Sequence, residues 1–305
     1  MTETSPSVPA TKCGYVALIG APNAGKSTLL NRFVGGKVSI VSHKVQTTRA
    51  LVRGIMAEGE TQIIFVDTPG IFKPKRRLDR AMVTSAWDGA GDADVVALLI
   101  DAKKGVDEEV EPILTALAER RQRCILLLNK IDLIRREELL KLAETVAETV
   151  DFDATFMISA EKGDGCADVV AYLADKMPAG PWLYPEDQMS DLPMRQLAAE
   201  ITREKLYERL HQELPYASTV ETEDWKELKS GDVRIEQTIY VTRESHKKIA
   251  LGKGGQTVKA ISSSARRELS NILERPVHLF LFVKVREKWL DDPERYREMG
   301  LDFPT

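Results

Sequence analysis

Eight residues constrain this chain more than any others. Gly20-Ala21-Pro22-Asn23-Ala24-Gly25-Lys26-Ser27 fits Gly-x-x-x-x-Gly-Lys-Ser/Thr, the loop that wraps phosphates. The apolar run Tyr15–Ile19 before it reads as a buried strand, and Thr28–Phe33 after it reads as a helix. A strand, this loop and a helix in succession place backbone amides and a helix N-terminus against an anion. Lys26 is then expected to reach the outer phosphates and Ser27 to bind Mg²⁺ through its hydroxyl.

Up to about residue 177, apolar β-rich runs alternate with helical patterns. The expected strands are 15–19, 63–66, 95–100, 125–128 and 156–158, with 38–41 or 51–56 as one more. The expected helices are 26–33, 108–121, 136–150 and 167–177. That alternation predicts an α/β fold, a mostly parallel sheet with helices on both faces and ligands at the carboxyl ends of its strands. Residues 178–193 carry four prolines and read as a linker. The order then becomes helix, two strands, two helices and a strand, an α+β domain. The expected boundaries are a disordered tail over 1–13, a nucleotide-binding domain over 14–177, the linker, an RNA-binding domain over 194–290 and a C-terminal tail over 291–305.

Two more motifs fall at strand ends. Asp67-Thr68-Pro69-Gly70 fits Asp-x-x-Gly: the carboxylate is suited to Mg²⁺ through water and the Gly70 amide to a γ-phosphate. Asn129-Lys130-Ile131-Asp132 ends the strand at 125–128. A carboxylate at Asp132 can accept from both N1–H and the 2-amino group of guanine, whereas adenine would leave that charge unpaired. Ser159-Ala160-Glu161 follows the last strand and is expected to brace the base.

The net charge of −4 is unevenly spread. Between Glu244 and Lys288 there are ten Lys/Arg against four Glu, a local surplus of six, so the rest of the chain carries −10. A basic segment on an acidic protein is the footprint of a nucleic-acid site. Within it, Gly252-Lys253-Gly254-Gly255 fits the Gly-x-x-Gly loop with which KH domains clamp about four nucleotides of single strand. Lys247, Lys248, Lys259, Arg266 and Arg267 are the accompanying cations, and the element order is that of a type II KH fold. Cys13, Cys124 and Cys166 show no Cys-x-x-Cys spacing, which argues against zinc and disulfide scaffolds. Cys124 reads as a core thiol. No apolar run approaches the length of a membrane span.

Taken together, the phosphate loop, Asp-x-x-Gly, Asn-Lys-x-Asp and Ser-Ala resemble translation-factor-related GTPases. Gly-x-Pro-Asn-x-Gly-Lys-Ser-Thr-Leu-Leu-Asn, Gln46-Thr47-Thr48-Arg49 and Asp67-Thr-Pro-Gly resemble the Era family in particular, from about Gly14 to Met299. The resemblance implies a slow GTPase that uses Mg²⁺ and cycles between GTP and GDP. It implies that a threonine of 46–49 completes the Mg²⁺ shell, with Thr48 preferred to Thr47. Ile71 stands where small regulatory GTPases carry a catalytic glutamine, and Glu161 where many have lysine. In relatives with Asn23 that residue can bind K⁺, so Asn23, Lys26 and Thr48 are the candidates for direct roles in hydrolysis. The family further implies binding near the 3′ end of 16S ribosomal RNA, a role in assembly of the 30S subunit, a monomer, and a cytoplasmic location with loose contact to the inner face of the cell membrane. Three readings stay open beside it: a P-loop kinase or ATPase, a tRNA-modifying GTPase, and an RNA-binding scaffold with a vestigial nucleotide site.

Overall fold

The computed structural model describes residues 11–120, 123–211 and 213–304, and it falls into two compact units. The expected disordered tail lies for the most part, residues 1–10, outside the described residues. The first unit comprises residues up to Val38, Thr48–Lys75 and Met82–Asp191. The second comprises Ser39–Thr47, Arg76–Ala81 and the chain from Leu192 onward.

The first unit is built on β1 (Lys12–Ile19), α1 (Lys26–Val34), β2 (Val52–Glu58), β3 (Thr61–Asp67), α2 (Arg77–Gly91, whose first turn belongs to the second unit), β4 (Val95–Asp101), α3 (Glu111–Arg120), β5 (Cys124–Asn129), α4 (Arg136–Ala147), β6 (Ala154–Ile158) and α5 (Cys166–Lys176). The six strands order as β2-β3-β1-β4-β5-β6, parallel except for β2, which runs antiparallel to β3. Alternate residues of each strand serve opposite faces. Val16 and Leu18 join one core with Leu29 and Leu30 of α1 and Val169 and Leu173 of α5. Ala17 and Ile19 join the other, with Ala86 and Ala90 of α2, Ile113 and Leu117 of α3 and Val146 of α4. Burial on both faces explains why the strands read as unbroken apolar runs.

Three expectations change on this unit. Residues 38–41 form no strand, and β2 at Val52–Glu58 is the additional one. Residues 77–91, where the apolar pattern predicts no element, form the helix α2. Among its buried residues, Leu78, Ala81, Met82, Ser85, Ala86 and Ala90 do recur at helical spacing, but most of these are too small to stand out as apolar. The proline-rich stretch 178–193 has no buried residue, but hydrogen bonds tie parts of it to the sheet. Ala179 bridges to Lys12 and Ser190 to Gly54. The fully buried Gln62 accepts from the amides of Leu183 and Tyr184 at 2.9 and 3.1 Å and donates to the Tyr184 carbonyl at 2.8 Å. Asp191 pairs with Arg53 at 3.0 Å.

The second unit holds α6 (Met194–Arg209), β7 (Ser218–Glu227), β8 (Val233–Val241), α7 (Glu244–Leu251), α8 (Gln256–Ile272), β9 (Val277–Val285) and α9 (Pro293–Glu298). Its sheet runs β7-β8-β9, with β7 antiparallel and β9 parallel to β8. Strand β7 runs on through a polar stretch to Glu227, where Trp225 opposite Ile235 joins the core edge. The expected C-terminal tail contains α9. Tyr296 and Leu301 are buried, as is Trp289 just before it, and the Trp289 indole donates to the Ala217 carbonyl at 3.3 Å.

Candidate nucleotide site and RNA loop

The sheet gathers the sequence motifs at one edge. Register pairs Leu18 with Asp67, Ile19 with Leu98, Asp101 with Asn129, and Asn129 with Ile158, so β1 ends beside β3, and β4, β5 and β6 end together three residues further on. Because β2 is antiparallel and Val52 pairs with Asp67, the chain entering β2 arrives at the same edge. Thr48 comes with it.

The loop after β1 turns into α1 through Gly25, at φ 104°, where a Cβ would lie 2.1 Å from Asn129 Nδ2. Only glycine permits both that conformation and that approach. Asn129 occupies the space, donating to the Ala24 carbonyl at 2.8 Å and accepting from the amides of Lys130 (2.8 Å) and Ala160 (2.9 Å). One side chain thereby ties the phosphate loop, the Asn-Lys-x-Asp turn and the Ser-Ala turn together. Lys130, at φ 68°, stretches back over the loop, donating to the Asn23 carbonyl at 2.8 Å and to Asp101 at 2.6 Å. No motif points to Asp101; its place at the end of β4 is the only sequence signal for it.

Lys26 is 6% exposed and its ammonium donates to the carbonyls of Gly20 and Ala21 at 3.0 and 3.1 Å. Desolvation pulls its pKa down to about 8, with Asp67 opposing the fall. A phosphate anion would reverse that penalty. Ser27 Oγ donates to Asp67 Oδ2 at 2.6 Å and lies 3.0 Å from Thr48 Oγ1, which is 3.3 Å from the same carboxylate oxygen. Three hard oxygens converging beside a phosphate loop are the donor set Mg²⁺ takes, and these residues fit it. Thr47 is not among them: its hydroxyl donates to the Lys44 carbonyl at 2.7 Å.

Thr68 donates to the Leu18 carbonyl at 2.8 Å, anchoring the turn through Pro69 and Gly70. The Ile71 amide donates to the Gly20 carbonyl at 3.1 Å while its side chain, 6% exposed, enters the core beside α2 and β4. An isoleucine there cannot orient a water. On the base side, Ser159 Oγ donates to Asp132 Oδ1 at 2.8 Å, and Lys162 Nζ lies 3.8 Å from Oδ2. These contacts, the serine first, hold the carboxyl below the usual carboxylate range. Arg32 of α1 donates to the carbonyls of Ala160 (3.1 Å) and Glu161, which holds the backbone of the Ser-Ala turn to α1. Ile131 lies in the helical turn that begins within Asn129–Asp132, and Thr28 in α1 just after the phosphate loop.

In the second unit α7 stops at Gly252, whose φ of 73° and whose hypothetical Cβ, 2.2 Å from Thr257 Oγ1, demand glycine. The next residues make one tight turn and α8 begins at Gln256. Lys248, Lys253, Gly254 and Lys259 are exposed and Lys247 is half-buried, all within a turn or so of the loop. Arg266 and Arg267 are exposed but begin 11 residues beyond Gly255, about 16 Å along α8. They extend a stripe with Lys259 and do not surround the loop.

The fold and site define a guanine-nucleotide-binding P-loop protein that also carries a KH module. The sequence matches the family described as 50S ribosome-binding GTPase over residues 15–130 and the KH domain over residues 213–290. It is 68% identical to the GTPase Era of Rhizobium meliloti (strain 1021), covering 100% of this chain and 98% of that one. It is also 68% identical to that of Brucella suis biovar 1 (strain 1330), covering 97% and 95%. Among solved structures it resembles an alanine variant of Aquifex aeolicus Era bound to GDP and AlF4⁻, with 40% identity, a TM-score of 0.89, and coverage of 95% of this chain and 99% of that one. It equally resembles Era in complex with MgGDPNP and nucleotides 1506–1542 of 16S ribosomal RNA, with 40% identity, a TM-score of 0.90 and the same coverage. The chain belongs to the Era family of GTPases, enzymes that hydrolyse GTP to GDP and phosphate.

Proposed function

We propose that this protein is a GTP-driven switch that binds 16S ribosomal RNA near its 3′ end and acts in assembly of the 30S subunit. The observation that carries the reading is the union in one chain of a guanine-selective site, centred on Asp132 and Ser159, with an exposed Gly-x-x-Gly loop on a basic surface. The RNA held by the solved relative supplies the class of RNA.

In the site so read, Gly20–Thr28 wrap the phosphates, Lys26 neutralises their outer charge, and Asn129–Asp132 with Ser159–Glu161 hold the base. Ser27, Thr48 and, through water, Asp67 would hold Mg²⁺, which supplies charge neutralisation on the phosphates. Gly70 offers its amide to the γ-phosphate. With the Ile71 side chain turned into the core, the attacking water needs another partner, and Asn23 is assigned to hold K⁺ for this purpose. The RNA site is centred on Gly252–Gly255 with Lys247, Lys248 and Lys259, and the stripe through Arg266 and Arg267 follows the strand outward. Among the described residues no helix is long and apolar enough to cross a membrane. A cytoplasmic monomer that touches the inner membrane face peripherally is carried over from the family.

The test is binding of the full chain, loaded with GDP or a non-hydrolysable GTP analogue, to an RNA oligonucleotide of the 3′ end of 16S ribosomal RNA and to a scrambled one. Preference for the native sequence, lost on combining Lys253→Asp with Gly254→Asp while nucleotide affinity stays unchanged, is the expected result. Equal binding of both oligonucleotides would overturn the RNA assignment.

A further inference from the structure

Asp101 is the last residue of β4, level with Asn129 at the end of β5. The chain turns at once beyond it. The amides of Lys104 and Gly105 donate to the Asp101 carbonyl at 3.0 and 2.9 Å, and the Ala102 amide donates to the Asn129 carbonyl at 2.8 Å. The same turn holds the carboxylate, whose Oδ1 accepts from the Lys103 amide at 3.0 Å. That leaves Oδ2 for the Lys130 ammonium, which donates to it at 2.6 Å. The pair is largely withdrawn from water: the Asp101 side chain is 11% exposed and that of Lys130 30%. A charge pair so placed is screened less than one on the open surface.

Lys130 uses this anchor to grip the loop after β1, for the same ammonium donates to the Asn23 carbonyl at 2.8 Å. Asn23 has φ 63° and Lys130 φ 68°. Both lie in the left-handed region, which residues with a side chain adopt at a cost, so both depend on contacts that hold them. A lysine carries a point charge on a flexible four-carbon stem and does not keep one geometry unaided. Asp101 supplies the fixed point. All the groups in this relay, from the Lys103 amide to the Asn23 carbonyl, belong to the first unit.

We infer that Asp101 is a positioning residue: it holds Lys130 against the phosphate loop and, through that contact, keeps Asn23 in its left-handed conformation, so that the loop is already shaped for phosphate. The inference rests on the reading of Gly20–Ser27 as the phosphate loop of the nucleotide site. That loop wraps phosphates common to GDP and GTP, so losing Asp101 should weaken both alike, chiefly through faster dissociation.

The test measures affinity and dissociation rate of the full chain for GDP and for a non-hydrolysable GTP analogue, with thermal melting of the nucleotide-free protein as the control for folding. The variants are Asp101→Asn, Asp101→Glu, Lys130→Met, the Asp101→Asn/Lys130→Met pair and Lys26→Met. Asparagine caps a turn as well as aspartate does, so its oxygen stays with the Lys103 amide and its NH₂ faces the ammonium, donor against donor. Asp101→Asn should therefore weaken both nucleotides roughly tenfold, the effect of one charge-assisted hydrogen bond, with melting unchanged. Asp101→Glu keeps the charge and should lose less. Once Lys130 is methionine, Asp101→Asn should cost nothing further. A smaller loss for asparagine than for glutamate marks a mere turn cap and overturns the inference, as does a loss that is additive in the pair or confined to one nucleotide. If Lys26→Met weakens both nucleotides and Asp101→Asn weakens neither, the positioning role fails and the phosphate-loop reading stands. If Lys26→Met has no effect either, both fall.

Discussion

Replacing Asp132 with asparagine should exchange guanine selectivity for xanthine selectivity. Ser159 fixes the orientation of the carboxyl by donating to Oδ1 at 2.8 Å, and Lys162 stands 3.8 Å from Oδ2. In the variant, the amide oxygen keeps the serine bond, which leaves the NH₂ where Oδ2 was. That donor then confronts the N1–H and 2-amino donors of guanine. Two charge-assisted hydrogen bonds are lost, at about 1.5–3 kcal/mol each, so GDP affinity should fall by a factor on the order of 10² to 10⁴. Xanthine presents a 2-keto acceptor to the same amide, and XDP affinity should rise. Competition of GDP, XDP and ADP against a fluorescent nucleotide measures all three in one experiment. A loss of GDP affinity below about fivefold, or no gain for XDP, would refute the assignment of Asp132 as the base-reading carboxylate.

Lys26 has a pKa pulled down to about 8 by burial, and bound phosphates would push it back up. Nucleotide binding should therefore take up about half a proton at pH 8 and almost none at pH 6, read as a buffer-dependent binding heat that Lys26→Met abolishes; no buffer dependence would contradict it. The carboxyl of Asp132 is held low chiefly by Ser159, so the ionised form that binds guanine persists below the usual carboxylate range and is lost only as pH falls through the depressed value. Ser159→Ala should shift the onset of acid loss of GDP affinity to higher pH, and an unchanged acid limb would count against that role. GTP turnover should be faster in K⁺ than in Na⁺ at equal ionic strength and lose that preference in Asn23→Ala; equal rates would mean that the water is positioned without K⁺.

The parts of the molecule legible in the sequence are those where local chemistry demands one residue type. The phosphate loop needs glycine at Gly25 because Asn129 fills the space a Cβ would take, and the apolar runs of β1, β4 and β5 are buried on both faces. Helix α2 is not legible because alanine and serine carry much of its inner face. The stretch 178–193 reads as a linker because proline marks a departure from regular structure, and says nothing of whether the backbone packs; here Gln62 supplies its hydrogen bonds from a distant strand. The same holds within the site. Ser27, Asp67 and Asp132 declare themselves by motif, whereas Asp101 and Arg32 act on partners that only the fold brings near. The cations Arg266 and Arg267 fall into a loop cluster in sequence, and the rise of α8 separates them from it.

If a guanine-nucleotide switch delivers a KH loop to the 3′ end of 16S ribosomal RNA, that contact should be visible in living cells. Crosslinking the full chain to RNA in cells and sequencing the bound fragments would read it without any assumption about the RNA. Fragments should concentrate at the 3′ end of 16S ribosomal RNA, and should be lost when Lys253→Asp and Gly254→Asp are combined in a protein that still binds GDP normally. Fragments spread over unrelated RNAs, or an unchanged 3′ signal in the double variant, would contradict it.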